Sequence, residues 1–131
     1  MTYSQPTILV VDDDADIVAV VCMALERCGF ATDRAYDGEE AAAMLKDTPY
    51  ALVVADLRMP FAGGLELCAQ MRAEPETARI PFVLLTASWM DAAPPDLSGP
   101  GAVLSKPFSP SALVDTVAGL LGGGNAKGVA A

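Results

Sequence analysis

Five short apolar runs alternate along the chain with stretches in which apolar residues recur every three or four positions. The apolar runs are typical of buried strands and lie at residues 7–11, 30–35, 53–56, 80–85 and 102–105. The stretches at helical spacing predict helices at residues 15–28, 38–46, around 67–71 and from Ser109 or Ser111 to about residue 121. Because strands and helices alternate with short connections, the pattern predicts one α/β domain, residues 1–121, with a five-stranded parallel sheet covered by helices on both faces.

Individual residues mark the ends of these elements. Asp14 is placed to cap the first helix and Gly29 to end it. The second strand is partly polar, as expected near the edge of a sheet. The glycine-rich residues 122–131 are predicted to form a disordered tail. The side chains predicted to face the core are, in chain order, Ile17, Val20, Val21, Ala24, Leu25, Cys28, Ala41, Met44, Leu45, Leu67, Cys68, Met71, Leu113, Val114, Val117, Leu120 and Leu121.

Composition narrows the classes of function. The formal net charge of −9 argues against a broad basic face for nucleic acid or for an anionic membrane. The chain has neither an apolar segment long enough to span a membrane nor a secretory signal pattern, so we expect it in the cytoplasm. It contains no histidine, which excludes histidine-based triads and most zinc sites. Its three cysteines lack paired spacing, and all are predicted to be reduced core residues.

Four of the five predicted strands end in a polar or charged group. These ends are Asp12 with Asp13, then Asp56, Thr86 and Lys106, whereas the second strand ends in an alanine. In an open α/β sheet, ligands collect in the crevice outside the carboxyl ends of the strands. We therefore expect these side chains to meet in one site.

The residue types in this site point to phosphoryl chemistry. Converging carboxylates repel and either raise their pKa values or recruit a cation, and an all-oxygen ligand set with few protein ligands favours Mg²⁺ over Ca²⁺. A metal ion, the Lys106 ammonium group and the Thr86 hydroxyl around one carboxylate are what a transferring phosphoryl group needs. Asp56 is then the nucleophile and forms an acyl phosphate.

The chain resembles the receiver domains of two-component response regulators, of the chemotaxis-receiver type, over about residues 6–121. The resemblance rests on VVDD at 10–13, DLRMP at 56–60 followed by GG at 63–64, LLTA at 84–87 and KPF at 106–108. Four such motifs in order at predicted strand ends are highly specific. The resemblance implies a flavodoxin-like, three-layer α/β/α fold with strand order 2-1-3-4-5.

The resemblance also implies roles for individual residues. Asp56 accepts the phosphoryl group from a histidine kinase, a histidine phosphotransfer protein or a small phosphodonor, and Asp13 and Asp56 bind Mg²⁺, with Asp12 acting through water. The Arg58 carbonyl is a further metal ligand. Lys106 pairs with the phosphoryl group, and Thr86 moves to hydrogen-bond it. The peptide bond before Pro107 is expected to be cis.

The sequence departs from this family in the parts that usually carry the switch. The aromatic residue expected three positions before the lysine is Val103 here, so an aromatic flip cannot carry the signal. Between Thr86 and Lys106 a regular helix is interrupted by Pro94 and its neighbouring proline, so the fourth helix of the family is expected to be short or irregular. Residues 94–101 are expected to be irregular and weakly held, and Trp89 to report a change in this loop.

Two other classes of function stay open at this point. The chain could be a pseudo-receiver, a protein-interaction module that keeps the fold without using phosphorylation. It could also be an aspartate-nucleophile phosphohydrolase, although that class carries an acid two residues after its nucleophile, where this chain has Arg58. In the receiver interpretation it catalyses only its own phosphorylation and dephosphorylation, and its output passes to a downstream protein partner, without direct binding of nucleic acid or membrane.

Overall fold

The structure is a computed structural model that describes residues 7–59, 63–87, 97 and 99–122. Within these residues the strands are β1 (Thr7–Val11), β2 (Ala31–Ala35), β3 (Leu52–Asp56), β4 (Phe82–Thr86) and β5 (Gly101–Ser105). The helices are α1 (Ala15–Arg27), α2 (Gly38–Asp47), α3 (Gly64–Ala73) and α4 (Pro110–Gly122). The five predicted strands and the four helices predicted outside the segment between Thr86 and Lys106 are therefore present, with ends that differ by one or two residues at most positions.

The sheet is parallel throughout and has the order β2-β1-β3-β4-β5. This confirms the predicted topology and places β3 at the centre. Every residue of β3 and β4 is buried, whereas β2 and β5 are partly exposed edge strands, as predicted for β2. The uninterrupted apolar runs of the central strands reflect a sheet that is covered on both faces.

Two apolar clusters make up the core, one on each face of the sheet. Residues of α2 and α3 form one cluster with one face of the strands, including Leu45, Leu67 and Met71. Residues of α1 and α4, such as Leu25 and Leu113, form the other cluster with the opposite face. The result is the predicted three-layer α/β/α arrangement.

The helix ends use the residues that the sequence indicated. The Asp14 side chain accepts a hydrogen bond from the Asp16 N–H at 2.9 Å, and Gly29 follows α1 with φ of +95°. At the start of α4, the Ser109 hydroxyl accepts from the Ala112 N–H at 3.0 Å, which selects Ser109 over Ser111 as the cap.

The inward face of α1 differs from the predicted one. Val20 is 50% exposed and Cys28 is exposed, whereas Val18 and Cys22 are buried. The buried residues of α1 are thus those at positions 18, 21, 22, 24 and 25, and Cys28 caps the end of the helix, before the chain enters β2. The prediction that all three cysteines are core residues is wrong for Cys28, although all three are free thiols.

Other predictions concern residues that the structure leaves undescribed. Residues 88–96 and 98, which include Trp89 and most of the expected short helix, lie outside the described residues, as do residues 123–131 of the expected tail. None of the helices in the described ranges has both the length and the apolar character needed to cross a membrane.

Candidate functional site

The polar strand ends meet at the carboxyl edge of the sheet. Asp12 directly follows β1, Asp56 ends β3, Thr86 ends β4, and Lys106 directly follows β5. The order of the strands puts β3 between β1 and β4, so Asp56 lies in the middle of the group. The crevice predicted from the sequence is therefore formed.

Three carboxylates converge there. One oxygen from each of Asp12, Asp13 and Asp56 lies within 4.8 Å of the other two. Asp12 and Asp56 are buried, with exposures of 1% and 8%, whereas Asp13 is exposed and can be reached from solvent. Three hard oxygen ligands on an open edge fit a divalent ion that keeps several water ligands, as Mg²⁺ does.

Lys106 supplies the positive charge inside this group. Its Nζ lies 2.6 Å from Asp56 Oδ1 and 3.3 Å from Asp12 Oδ2. Burial lowers the pKa of Lys106, but the hydrogen bond to Asp56 and the charges of Asp12 and Asp56 outweigh this effect, so its pKa is raised. The ammonium group is therefore charged at neutral pH and already faces the carboxylate predicted to react.

Asp12 shows the electrostatic cost of the cluster. Burial raises its pKa, and the charge of Asp56 acts in the same direction, against the hydrogen bond from Asp14 and the charge of Lys106. The charged form of Asp12 is thus destabilised, as expected for converging acids. A bound cation would offset this destabilisation, which is a second reason why the residues fit a metal ion.

Main-chain hydrogen bonds orient the reacting groups. The Asp14 N–H donates to Asp12 Oδ1 at 3.0 Å, and the Arg58 N–H donates to Asp56 Oδ2 at 3.0 Å. The Lys106 N–H donates to the Thr86 carbonyl at 2.8 Å, which joins the ends of β4 and β5. The side chains of Asp12 and Asp56 are thus each held on one oxygen and offer the other to a cation or to Lys106.

Gly63 and Gly64 have a role that the sequence interpretation missed. A Cβ on Gly63 would clash with the Leu57 carbonyl, and a Cβ on Gly64 would lie 2.5 Å from the Asp56 carbonyl oxygen. The start of α3 therefore packs directly against the end of β3, at a distance that only glycine permits. Two adjacent glycines after a buried strand are the available sequence signal for such an approach.

The residues predicted to form the switch are only partly visible. Thr86 is buried, with 1% exposure, and pairs with Ser105 across the β4–β5 ladder. Val103 is partly buried and packs on the α2–α3 side of the sheet. The peptide bond between Lys106 and Pro107 is cis, as expected. Trp89 lies outside the described residues, so its role as a reporter of the switch stays a prediction.

Of the segment predicted to be irregular and weakly held, the structure describes only Leu97 and residues 99–101, and outside β5 these have no regular secondary structure. Leu97 is 7% exposed, and its carbonyl and that of Pro100 accept hydrogen bonds from the Arg72 guanidinium. Hydrogen bonds therefore join residues 97 and 100 to α3, whereas the weak hold on residues 94–101 as a whole stays a prediction. No sequence signal indicated this contact, because an arginine near the end of an amphipathic helix is usually a surface residue.

Comparisons with known proteins agree with this geometry. The family described as response regulator receiver domain matches residues 8–118. The chain is 38% identical to the transcriptional regulatory protein ResD of Bacillus subtilis over 90% of its own length and 49% of ResD, so it spans about half of that relative.

Solved structures of similar proteins include two receiver domains. The Francisella response regulator 1452 receiver domain is 31% identical, with a TM-score of 0.78, and the match covers 88% of this chain and 96% of that one. The receiver domain of the sensor histidine kinase PA1611 from Pseudomonas aeruginosa, solved with a magnesium ion in its active site cleft, is 25% identical, with a TM-score of 0.75 and coverage of 84% and 92%. From the matched residues and the site they form, the chain belongs to the response regulator receiver domain family.

Proposed function

We propose that the chain is a stand-alone receiver that accepts a phosphoryl group on Asp56 and signals by a conformational change to a protein partner. The observation that carries this proposal is the position of Lys106 Nζ, 2.6 Å from Asp56 Oδ1 and 3.3 Å from Asp12 Oδ2. A cation held between the predicted nucleophile and the predicted metal ligands suits the transfer of a phosphoryl group, whose charge is spread over three oxygens.

The proposed reaction uses groups that the fold already orients. The Asp56 carboxylate attacks the phosphorus of a phosphohistidine, the phosphorus–nitrogen bond breaks, and the imidazole nitrogen leaves with its electron pair and takes a proton. Mg²⁺, held by Asp13 and Asp56 with the Arg58 carbonyl and, through water, by Asp12, would neutralise charge on the phosphoryl oxygens when bound. Lys106 pairs with one of these oxygens, and the Thr86 hydroxyl donates to another. Catalysis by the chain is then limited to its own phosphorylation and dephosphorylation.

The phosphodonor is proposed to be a histidine kinase or a histidine phosphotransfer protein. Two large apolar side chains of α1, Val20 and Met23, are 50% and 52% exposed. Helix α1 begins three residues after Asp12, and these two exposed side chains lie three residues apart, on neighbouring turns of the helix. Exposed apolar side chains on the helix that follows the acidic pair suit a protein donor better than a small anion.

Output is proposed to pass to a separate protein in the cytoplasm. The formal charge of −9 supports a protein partner rather than direct contact with nucleic acid or an anionic membrane. An immunoblot of native cell extract tests the stand-alone arrangement, because a band far above 13.5 kDa would show that the receiver is attached to further domains.

Mapping the labelled residue tests the central proposal. The protein is incubated with a small acyl phosphate and Mg²⁺, and the acid-labile label is located by mass spectrometry. We expect a single label on Asp56 and none in Asp56→Asn. Labelling of Asp56→Asn at the wild-type level would contradict the assignment, and no labelling of the wild type by any donor would favour a pseudo-receiver.

A second experiment separates the protein donor from small donors. Purified phosphorylated histidine kinases are tested as donors to the wild type and to Val20→Asp. We expect the variant to lose transfer from the kinases but to keep the wild-type rate with the small acyl phosphate. An equal loss with both donors would show that Val20 acts on the fold rather than on docking.

A further inference from the structure

Arg72, near the end of α3, binds four main-chain carbonyls from two separate segments. Its Nη1 donates to the carbonyls of Ala78 at 3.1 Å and Ile80 at 2.7 Å. Its Nε donates to the Leu97 carbonyl at 3.1 Å, and its Nη2 to the Pro100 carbonyl at 2.9 Å. Four of the five N–H groups of one guanidinium are therefore used on backbone oxygens.

The bound carbonyls lie at the amino ends of two neighbouring strands. Ile80 lies two residues before the start of β4, and Pro100 directly precedes β5. The Pro100 carbonyl also accepts from the Phe82 N–H at 3.1 Å, so it links both strands to Arg72. Arg72 thus fixes β4 and β5 relative to each other and to α3.

The surroundings of the guanidinium leave little room for a different arrangement. A Cβ on Gly99 would lie 2.8 Å from Arg72 Nε, and a Cβ on Gly101 would lie 2.6 Å from Leu97 Cδ1. Lysine has no planar fork of donors and cannot reach four fixed acceptors at once. The site is therefore specific for arginine.

The opposite ends of the same two strands carry the chemistry. Strand β4 ends in Thr86, and β5 leads into Lys106, whose ammonium group must reach past β4 to Asp56 on β3. Strand β5 is an edge strand that is partly exposed along its length and pairs with β4 alone in the sheet. Its position therefore depends strongly on how its amino end is held.

We propose that Arg72 is a positioning residue for the phosphoacceptor site, because it holds the edge strand that carries Lys106 in the register that brings the ammonium group to Asp56. This inference rests on the proposed function for its meaning. When the anchor is lost, β5 opens more often, and Lys106 spends less time on the carboxylates. Since Lys106 and a metal ion share these carboxylates, the affinity for Mg²⁺ should rise while the rate of phosphorylation falls.

The test compares Arg72→Gln and Arg72→Lys with the wild type. Loss of one hydrogen bond changes an opening equilibrium by about fivefold. Arg72 donates two hydrogen bonds to the segment before β5, so we expect amide exchange in β5 to be at least about tenfold faster in both variants. Mg²⁺ binding, measured by calorimetry, should be about threefold tighter, since only part of the contact of Lys106 is lost. Labelling of Asp56 by a small acyl phosphate should be slower. Unchanged β5 exchange, unchanged Mg²⁺ affinity or a wild-type phenotype of Arg72→Lys would overturn the inference.

Two controls separate positioning from a general loss of stability, and one further variant replaces Arg72→Gln if that variant does not fold. Arg79→Gln makes the same chemical change at an exposed position nearby and should match the wild type. Leu25→Ala creates a cavity on the opposite face of the sheet and should lower stability without raising Mg²⁺ affinity. If Arg72→Gln does not fold, Gly99→Ala displaces the guanidinium more gently and should show the same opposite changes.

The two proposals fail in different ways. A wild type that takes no label on Asp56, together with faster β5 exchange and tighter Mg²⁺ binding in Arg72→Gln, would sink the proposed function and leave the anchoring of Lys106 intact. A labelled wild type with no change in exchange or Mg²⁺ affinity in Arg72→Gln would do the reverse.

Discussion

Replacing Lys106 by methionine removes the ammonium group that lies between two buried carboxylates and keeps an unbranched side chain of similar length. In the metal-free protein, Asp12 and Asp56 then face each other without a cation. The pKa of Asp12 is already raised by burial and by the charge of Asp56, so the loss of Lys106 should destabilise the charged form of this carboxyl group further. We expect Lys106→Met to destabilise the metal-free protein and to bind Mg²⁺ more tightly.

The size of the effect follows from the burial of the three groups. Removing one partner of a fully buried ion pair costs about 3–5 kcal/mol. The Lys106 side chain is 24% exposed, and water can replace part of its contact, so we expect a loss of about 2 kcal/mol. For a chain of this length, that corresponds to a decrease in Tm of roughly 6–10 °C.

Saturating Mg²⁺ should remove most of this loss, because the ion takes over the neutralisation of the same carboxylates. If the remaining difference is about 0.6 kcal/mol, the thermodynamic cycle requires Mg²⁺ to bind Lys106→Met about tenfold more tightly than the wild type. The stability that Mg²⁺ restores and the gain in Mg²⁺ affinity are thus the same free-energy difference, which unfolding and binding experiments must both give.

The assay is urea unfolding at pH 7 with and without MgCl₂, with NaCl added to equal ionic strength because salt alone screens charges. Calorimetric titration gives the Mg²⁺ affinity separately. Lys46→Met, at an exposed position of α2, is the matched control and should change stability by no more than about 0.5 kcal/mol. An equal loss of stability in Lys106→Met with and without Mg²⁺ would refute the idea that lysine and metal share the carboxylates.

Two further predictions concern the supports of the fold. Gly64→Ala should cost about 2 kcal/mol in urea unfolding, because its Cβ would lie 2.5 Å from the main-chain oxygen at the end of β3. At the control position Gly119 an added Cβ would meet no described atom within 4 Å beyond its chain neighbours and the backbone of its own helix. Gly119→Ala should therefore be neutral or stabilising by up to about 1 kcal/mol, and similar effects at both positions would contradict the packing argument. Burial, together with the 2.6 Å hydrogen bond to Asp33, raises the pKa of Tyr50 from 10.0 to about 12, so the folded state resists deprotonation. Stability from this group is present below pH 10 and lost between pH 10 and 12, so the metal-free wild type should lose roughly 1–2 kcal/mol more than Tyr50→Phe over this range. The control Tyr36→Phe should keep the wild-type dependence of stability on pH. Parallel curves of stability against pH for the wild type and Tyr50→Phe would rule out this role of Tyr50.

The secondary-structure elements and the chemical groups of the site could be predicted from the amino-acid sequence alone. Uninterrupted apolar runs at β3 and β4 indicated strands buried on both faces, and the alternation with helices indicated a parallel sheet. The acids, Thr86 and Lys106 could be assigned to one crevice, because parallel strands place their carboxyl ends at the same edge. These inferences depend on local pattern and on topology, both of which are written in the order of residues along the chain.

The burial of individual side chains and the contacts between distant segments became known only from the folded structure. The face of α1 was predicted correctly at Val21, Ala24 and Leu25 but wrongly at Val20 and Cys28, because an apolar helix allows more than one inward stripe and only the fit to the sheet selects among them. Position 64 must lack a side chain because α3 packs on β3 there, and a local sequence pattern cannot show this contact. The partners of Arg72 lie six to twenty-eight residues away in the sequence, as the hydrogen bonds to Ala78 and Pro100 show. Backbone carbonyls carry no residue-specific signal, so such a contact becomes visible only when the chain has folded.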